Sequence, residues 1–149
     1  MSKKILFPTD FSTCSDAGLK FATALARDMG GELLIVHTLE EPTIYAGEFY
    51  YGNAEPDVDA VVKMLHSLEP ENSQVPFQHK ILRGDPAKAI CDCAAAEDAD
   101  LIVMSTHGRS GLGRLLMGSV AEYVVRKAPC PVMTLRAEVL NRAGEAAEA

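Results

Sequence analysis

The segment of residues 105–123, STHGRSGLGRLLMGSVAEY, contains the residue types that bind phosphate groups. Gly108 can adopt a positive φ or allow a ligand to approach the backbone closely. Ser119 and Glu122 have the spacing of a capping box, so a helix is expected to begin there, directly after Gly118. A helix N-terminus presents unpaired N–H groups and the positive end of its dipole, which favour anions. The segment therefore predicts an anion site made by backbone groups, although a glycine-rich connection without a ligand has the same composition.

Two common glycine-rich motifs are excluded by the residues themselves. Gly108 and Gly113 have the spacing of a P-loop, but Arg114 follows where that motif needs a lysine and then a hydroxyl residue for magnesium. A dinucleotide-binding motif that begins at Gly111 fails because Leu116 stands at its third glycine. The expected anion site therefore belongs to neither of these two classes of nucleotide-binding protein.

Short apolar runs alternate with amphipathic patterns along the chain, which predicts a single α/β domain. The strands are expected at residues 4–8, 32–38, 77–83, 100–106 and 131–136, and the helices at 15–29, 56–68, 86–97 and 119–127. Continuous apolar strands are typical of a doubly wound parallel sheet with helices on both faces. Residues 40–55 have no clear period and are expected to form a loop. The apolar face of the first helix is expected to contain Ala17, Phe21, Ala22, Leu25 and Met29.

The composition limits the classes of partner. The chain has 149 residues and a net charge of −7, so it lacks the excess of cations that nucleic acids and anionic membranes attract. No apolar run approaches the ~20 residues of a membrane span, and no signal-type stretch follows Lys3 and Lys4. The four cysteines lack the spacing of a zinc site and are expected to be reduced. We therefore expect a cytoplasmic protein that binds neither nucleic acid nor membrane.

Several motifs occur in an order that is similar to one known family. Gly108 is followed after nine residues by Gly118 and Ser119, and the chain also contains ILFPTDFS, IVHT, GDP, DLIVMSTHGRSG and APCPVMTL. Over residues 3–136 this order resembles the universal stress protein family, whose nucleotide-binding signature is G-x-x-G-x9-G-[ST]. The resemblance implies a domain at 1–136. The tail at 137–149 is composed of small and polar residues and is expected to be flexible. The resemblance also implies a five-stranded sheet of order 3-2-1-4-5, the adenine nucleotide alpha hydrolase-like fold.

The resemblance further implies a ligand, ATP or AMP, and leaves open whether Mg²⁺ accompanies it. In the implied strand order the ends of strands 4–8 and 100–106 face each other. The expected cofactor-binding residues are Pro8, Thr9, Asp10, Thr38, Ser105, His107, Gly108, Arg109, Gly118, Ser119 and Val120. In nucleotide-binding relatives the aspartate that matches Asp10 lies beside the ribose, and the backbone that matches Thr38 meets the adenine edge. Asp10 is also interpreted as part of a turn that caps the first helix, and the two roles are compatible.

Ser105 departs from the family signature because it stands where that signature has its first glycine. Its Cβ restricts the backbone and takes space beside the expected phosphates, whereas its hydroxyl can donate to a phosphate oxygen. Two functions therefore stay open. One is a nucleotide-binding, homodimeric regulatory protein of the stress response with an unknown regulatory protein partner. The other is a dimeric interaction module of the same family that binds no nucleotide.

No residue is assigned a catalytic role. His107 lies beside the expected phosphates but has no nucleophile to activate, so little or no turnover is expected, and slow ATP hydrolysis or autophosphorylation is left open. His37 is expected to be a hydrogen-bonded core residue, and Cys130 a small buried one. In the family's strand order the segment from Pro131 to Arg136 is an edge strand. Relatives pair this strand with its twofold copy, which implies a homodimer.

Overall fold

The computed structural model describes residues 3–40, 43–45, 48–50, 57–71, 74–106 and 117–136. The strands in these ranges are β1 (Lys4–Pro8), β2 (Glu32–Leu39), β3 (Thr43–Tyr45), β4 (Glu48–Tyr50), β5 (Phe77–Arg83), β6 (Leu101–Ser105) and β7 (Val132–Leu135). The helices are α1 (Thr13–Met29), α2 (Val58–Ser67), α3 (Pro86–Ala96) and α4 (Ser119–Lys127). The predicted main strands and helices are confirmed to within one or two residues at each end. The expected tail at 137–149 lies outside the described residues.

Five strands form one parallel sheet in the order β5-β2-β1-β6-β7. Counted along the chain without β3 and β4, this is the implied order 3-2-1-4-5, which is confirmed. β1 lies at the centre, paired with β2 on one side and with β6 on the other. The chain leaves β1 towards β2 and leaves β6 towards β7, so the two connections diverge. In open α/β sheets such a divergence creates a crevice outside the carboxyl ends of the strands.

The prediction of a loop at residues 40–55 is wrong in part, because this region contains a small β-hairpin. β3 and β4 pair antiparallel, with Thr43 opposite Tyr50 and Tyr45 opposite Glu48. Each strand has three residues, which is too short for a period of two to stand out in the sequence. The strands pair with each other and not with the main sheet. Their β-branched and aromatic residues are of the types that favour strands, a signal that the prediction of a loop did not use.

Both faces of the sheet are covered by helices, as predicted. Alternate residues of β1 point to opposite faces: Leu6 joins a buried cluster with residues of α3 and α4, whereas Ile5 and Phe7 join a second cluster with residues of α1. Ile102 and Val103 of β6 divide between the two clusters in the same way. The central strands are therefore apolar on both faces, which explains their continuous apolar sequences. Within the described ranges, no helix has the length and apolarity needed to cross a membrane.

The face of α1 that meets the sheet differs in part from the predicted one. Ala22 is buried and Ala17 and Leu25 pack against the core as predicted, but two residues of the predicted face are exposed. Phe21 and Met29 are each 39% exposed. The buried face instead contains Ser15, Gly18, Leu19, Ala22, Thr23 and Ala26. Small residues allow close approach, since a Cβ at Gly18 would lie 3.1 Å from the ring of Phe7. The prediction relied on the positions of large apolar residues. The helix packs against the sheet through small residues, so the face that it buries is the neighbouring one.

Candidate functional site

A cleft of about 410 Å³ opens at the carboxyl ends of the central strands. It lies where β1 and β6 diverge, between the first turns of α1, α3 and α4. The residues that line it are Pro8, Thr9, Asp10, Ser15, His37, Thr38, Glu40, Pro86, Ile90, Met104, Ser105, Thr106, Gly118, Ser119, Val120 and Ala121. The position agrees with the crevice expected of a doubly wound sheet.

Most of the predicted site residues lie together on this cleft. The ones brought together are Pro8, Thr9, Asp10, Thr38, Ser105, Gly118, Ser119 and Val120. His107, Gly108 and Arg109 lie outside the described residues, so their positions stay a prediction. Contact of any of these residues with a ligand also stays a prediction, because the cleft shows their proximity alone.

Hydrogen bonds fix the conformation of the connection between β1 and α1. The N–H of Thr9 continues the sheet by donating to the carbonyl oxygen of Val36 at 2.8 Å. Asp10 Oδ1 accepts from the N–H of Ser12 at 3.0 Å, and Ser12 Oγ accepts from the N–H of Ser15 at 3.1 Å. Ser12 is therefore the N-cap of α1, and Asp10 stabilises the turn before it. The second interpretation of Asp10 is correct in that its carboxylate holds this turn.

Phe11 has a backbone conformation that large residues rarely adopt. Its φ is 64°, in the left-handed region, which costs about 1–2 kcal/mol for a residue with a Cβ. The ring of Phe11 packs against the ring of His37, with centroids 4.5 Å apart and an angle of 35° between the ring planes. His37 Nδ1 also donates to the carbonyl oxygen of Thr9 at 2.7 Å. The predicted hydrogen bond of His37 is confirmed, but the residue is only partly buried and lines the cleft.

The first turn of α4 begins differently from the predicted capping box. Gly118 is the N-cap residue, and no side chain caps the helix. Ser119 is already helical, and the N–H of Glu122 donates to the Gly118 carbonyl oxygen at 3.0 Å. The cause lies at Gly118, whose N–H donates to the Thr106 carbonyl oxygen at 2.7 Å and fixes that residue at the end of β6. A Cβ on Gly118 would lie 3.2 Å from the same oxygen, which is tighter than an ordinary contact, so the close approach favours a glycine.

The absence of a capping side chain leaves backbone donors open to the cleft. Ser119, Val120 and Ala121 are the first three residues of α4, and all three line the cleft. Among the residues that the structure describes, their N–H groups have no hydrogen-bond acceptor. These donors lie at the positive end of the helix dipole. The arrangement can bind an anion without any cationic side chain.

Part of the cleft wall is apolar. It is formed by Pro86, Ile90, Met104, Val120 and Ala121. The α3 residues of this wall were not predicted from the sequence, and neither were Ser15, His37, Glu40, Met104, Thr106 and Ala121. A signal for α3 was available, because its first turn directly follows a predicted strand and must start at the same edge of the sheet. The cleft thus combines polar groups with a surface suited to a flat apolar group.

Three of the four cysteine thiols are disfavoured as reactive groups. Burial is the main cause that raises the pKa of the thiols of Cys91, Cys93 and Cys130, which disfavours the reactive thiolate. None of these three residues lines the cleft. Cys130 packs against the α3–α4 side of the core but is only partly buried, so the prediction of a small buried residue is confirmed only in part. Within the described part of the chain, no three histidine, cysteine or acidic side chains are grouped to hold a metal ion.

Comparison with known sequences gives a consistent result. A family model described as the universal stress protein family matches residues 1–136. The chain is 36% identical to the "Universal stress protein in QAH/OAS sulfhydrylase 3'region" of Thermus aquaticus, over 91% of this chain and 100% of that protein. It is 30% identical to universal stress protein MJ0577 of Methanocaldococcus jannaschii, over 91% of this chain and 96% of that protein.

Comparison with solved structures agrees. The fold is similar to universal stress protein UspA from Lactobacillus plantarum, with a TM-score of 0.67, 25% identity, and coverage of 90% of this chain and 97% of that one. It is also similar to a universal stress protein in complex with cAMP, with a TM-score of 0.68, 20% identity and coverage of 91% and 98%. A third similar structure is the Archaeoglobus fulgidus protein in complex with dAMP, with a TM-score of 0.62, 24% identity and coverage of 90% and 97%. Since the family model spans nearly the whole domain, the chain belongs to the universal stress protein family.

Proposed function

We propose that this protein binds an adenine nucleotide, ATP or AMP, in the cleft at the carboxyl end of its sheet. The observation that carries the proposal is the first turn of α4, where backbone N–H groups without protein acceptors face the same cleft as Asp10 and an apolar wall. A nucleotide has the three matching parts: anionic phosphates, a sugar with hydroxyl groups and a flat base. An anion alone would leave the apolar wall unused.

Each part of the nucleotide has a place in this arrangement. The phosphates would accept hydrogen bonds from the N–H groups of Ser119 and Val120. The ribose would lie near Asp10, whose carboxylate accepts hydrogen bonds. The base would lie against the apolar wall, with the backbone of Thr38 at its edge. His107, Gly108 and Arg109 follow β6 in the chain, so they would add donors and positive charge beside the phosphates.

Two similar proteins support the choice of ligand. One is a universal stress protein in complex with cAMP, and the other is the Archaeoglobus fulgidus protein in complex with dAMP. Both ligands contain adenine, a sugar and a single phosphate. We propose ATP as well as AMP because the glycine-rich segment after β6 is long enough to hold further phosphates. Mg²⁺ that accompanies ATP would be bound mainly by phosphate oxygens and water.

The proposed role is regulation with little or no turnover. The thiols of Cys91, Cys93 and Cys130 have raised pKa values and lie away from the cleft. A nucleotide that is bound and not hydrolysed can change the conformation of the protein. An unknown regulatory protein partner in the cytoplasm would recognise this conformation during stress. The second candidate, an interaction module without a nucleotide, is favoured by Ser105, whose Cβ stands at the cleft in place of the signature glycine.

Native mass spectrometry and calorimetry separate the two functions. The purified protein is expected to carry or take up one ATP or AMP per chain, with an affinity in the micromolar range, about 8 kcal/mol. A protein that binds neither nucleotide at millimolar concentration would contradict the first function and support the second.

Replacing Ser105 with glycine is expected to leave the ATP affinity equal or to raise it. Ser105 is the last residue of β6 and lines the cleft, so the substitution removes a Cβ beside the phosphates and restores the family signature. Calorimetry of Ser105→Gly against the wild type measures the effect. A loss of about tenfold or more would show instead that the serine hydroxyl binds the ligand.

We further propose that the protein is a homodimer joined through β7. This strand has one neighbour in the sheet, β6. The carbonyl oxygens of Pro131 and Leu135 accept from β6, so the alternate residues Val132 and Thr134 direct their backbone groups away from it. Leu135 is only 6% exposed, so the contact depends on these outward backbone groups more than on that side chain. A twofold copy of the strand would cover this edge.

The substitution Thr134→Pro is expected to convert the dimer to a monomer in sedimentation experiments. Proline removes the outward N–H of residue 134 and leaves the bonds between β6 and β7 in place. Thr134→Val has a similar shape and keeps the N–H, so it is the matched control and should stay dimeric. A Thr134→Pro variant that still sediments as a dimer would place the interface elsewhere.

A further inference from the structure

Two buried hydroxyl groups form a pair at the floor of the cleft. Ser15 Oγ and Thr9 Oγ1 are 2.8 Å apart. Ser15 is 3% exposed and Thr9 is 6% exposed, yet both residues line the cleft. Ser15 lies in the first turn of α1, and Thr9 directly follows β1. The hydroxyl pair of Thr9 and Ser15 is therefore shielded from bulk water and accessible to a ligand in the cleft.

The hydroxyl pair has one proton more than its protein partners use. Each hydroxyl carries a single proton and can accept two hydrogen bonds. The N–H of Phe11 donates to Thr9 Oγ1 at 3.0 Å, and one hydroxyl proton forms the bond within the pair. Whichever hydroxyl donates within the pair, the other proton finds no acceptor among the residues that the structure describes. Buried donors are nearly always paired, so this proton indicates an acceptor supplied by a ligand.

Asp10 provides the complementary group beside the hydroxyl pair. It follows Thr9 in the chain, lines the same cleft, and its carboxylate can only accept hydrogen bonds when ionised. A ligand atom placed between them has to accept from the hydroxyl pair and donate to Asp10. A phosphate oxygen accepts but would be repelled by the carboxylate, and the amino group of adenine donates only. A sugar hydroxyl does both.

We propose that the hydroxyl pair of Thr9 and Ser15 donates a hydrogen bond to a ribose hydroxyl of the bound nucleotide and makes the cleft selective for ribonucleotides over deoxyribonucleotides. The inference rests on the proposed function, since it needs a nucleotide in the cleft. It goes beyond that function because it assigns a ligand-binding role to Ser15 and names the part of the ligand that the cleft selects.

The wild-type protein gives the first test. Calorimetry with ATP, 2′-deoxy-ATP and 3′-deoxy-ATP is expected to show that at least one deoxynucleotide binds about tenfold more weakly than ATP. The reason is that the missing sugar hydroxyl leaves buried polar groups of the protein unpaired. Equal affinity for all three nucleotides would overturn the inference and leave the proposed function intact. A lack of binding by ATP itself would overturn the proposed function.

A pair of variants gives the second test. In the double variant Thr9→Val with Ser15→Ala, the preference for ATP over the weaker deoxynucleotide is expected to fall by about fivefold, because one hydrogen bond to the sugar is lost. Thr9→Ser keeps both hydroxyl protons, so as the matched control it should retain the wild-type preference. The preference is a ratio of two affinities measured on one protein, so an inactive fraction cancels. A double variant with the wild-type preference would overturn the inference. If that variant fails to fold, the comparison of the three nucleotides on the wild-type protein still tests the inference.

Discussion

Replacing Ser119 with aspartate is expected to lower the affinity for ATP about a hundredfold without lowering the stability of the protein. Ser119 is an exposed residue at the first position of α4, beside the donors that the proposal assigns to phosphate. Like charges ~5 Å apart at an effective dielectric constant of ~20 repel by about 3 kcal/mol, which corresponds to that loss of affinity. The same negative charge interacts favourably with the helix dipole by about 0.3–1 kcal/mol. Binding and stability therefore change in opposite directions.

The matched control for this variant is Ser119→Asn. Asparagine has nearly the shape of aspartate without the charge, and an exposed substitution of this kind usually changes energies by less than about 0.5 kcal/mol. Its ATP affinity should therefore stay within about threefold of the wild type. Calorimetry gives the affinities, and thermal unfolding gives the stabilities. If the aspartate and asparagine variants bind ATP equally, the phosphates do not lie at the first turn of α4.

Replacing Asp10 with asparagine is expected to lower the affinity for ATP about tenfold, whereas the melting temperature should hardly change. The asparagine oxygen can still accept from the N–H of Ser12, so the turn before α1 is retained. The charge that strengthens hydrogen bonds from the ribose hydroxyls is lost, and such bonds contribute about 1.5–3 kcal/mol when one partner is charged. The two roles of Asp10, in the turn and at the ligand, are thereby separated.

Asp10→Ala completes this comparison because it removes the turn and the ligand contact together. It is expected to lose about ten- to a hundredfold in affinity and also to lower the free energy of unfolding by about 1 kcal/mol, since the N–H of Ser12 loses its acceptor. Should Asp10→Asn bind ATP as tightly as the wild type while Asp10→Ala melts at a much lower temperature, the role of Asp10 would be confined to the turn.

The sheet was predictable because its signals are local and strong. The strand sequences are apolar on both faces, as Leu6 and Phe7 show by packing into different clusters. The continuous apolar pattern of these runs and their short length then indicate parallel strands with helices between them. The strand order depended on the family resemblance, since the spacing of strands along the chain does not state which of them are neighbours. The location of the cleft followed from that order, which is why Asp10 and Gly118 were placed together correctly.

Other features depend on contacts that a sequence does not display. Ser119 was predicted to cap α4, but the bond from the Gly118 N–H to the Thr106 carbonyl oxygen moves the cap one residue earlier. Phe21 was predicted to be buried, but α1 packs by small residues against Phe7. In both cases a tertiary contact overrode a local preference. The α3 residues Pro86 and Ile90 were missed because the sequence does not show that the first turn of α3 faces the cleft, although Pro86 belongs to the GDP motif.

The central claim, that the first turn of α4 binds the phosphates of a nucleotide, is tested most directly by titrating the ¹⁵N-labelled protein with ATP and following the backbone amide resonances. The account predicts large shifts for the amides of Ser119, Val120 and Ala121, because their unpaired N–H groups would acquire phosphate acceptors. The backbone amide of Asp10 should shift as well, whereas the amides of residues at the amino ends of the strands, such as Lys4, should not. Saturable binding of ATP that leaves the Ser119, Val120 and Ala121 resonances unchanged would contradict the account.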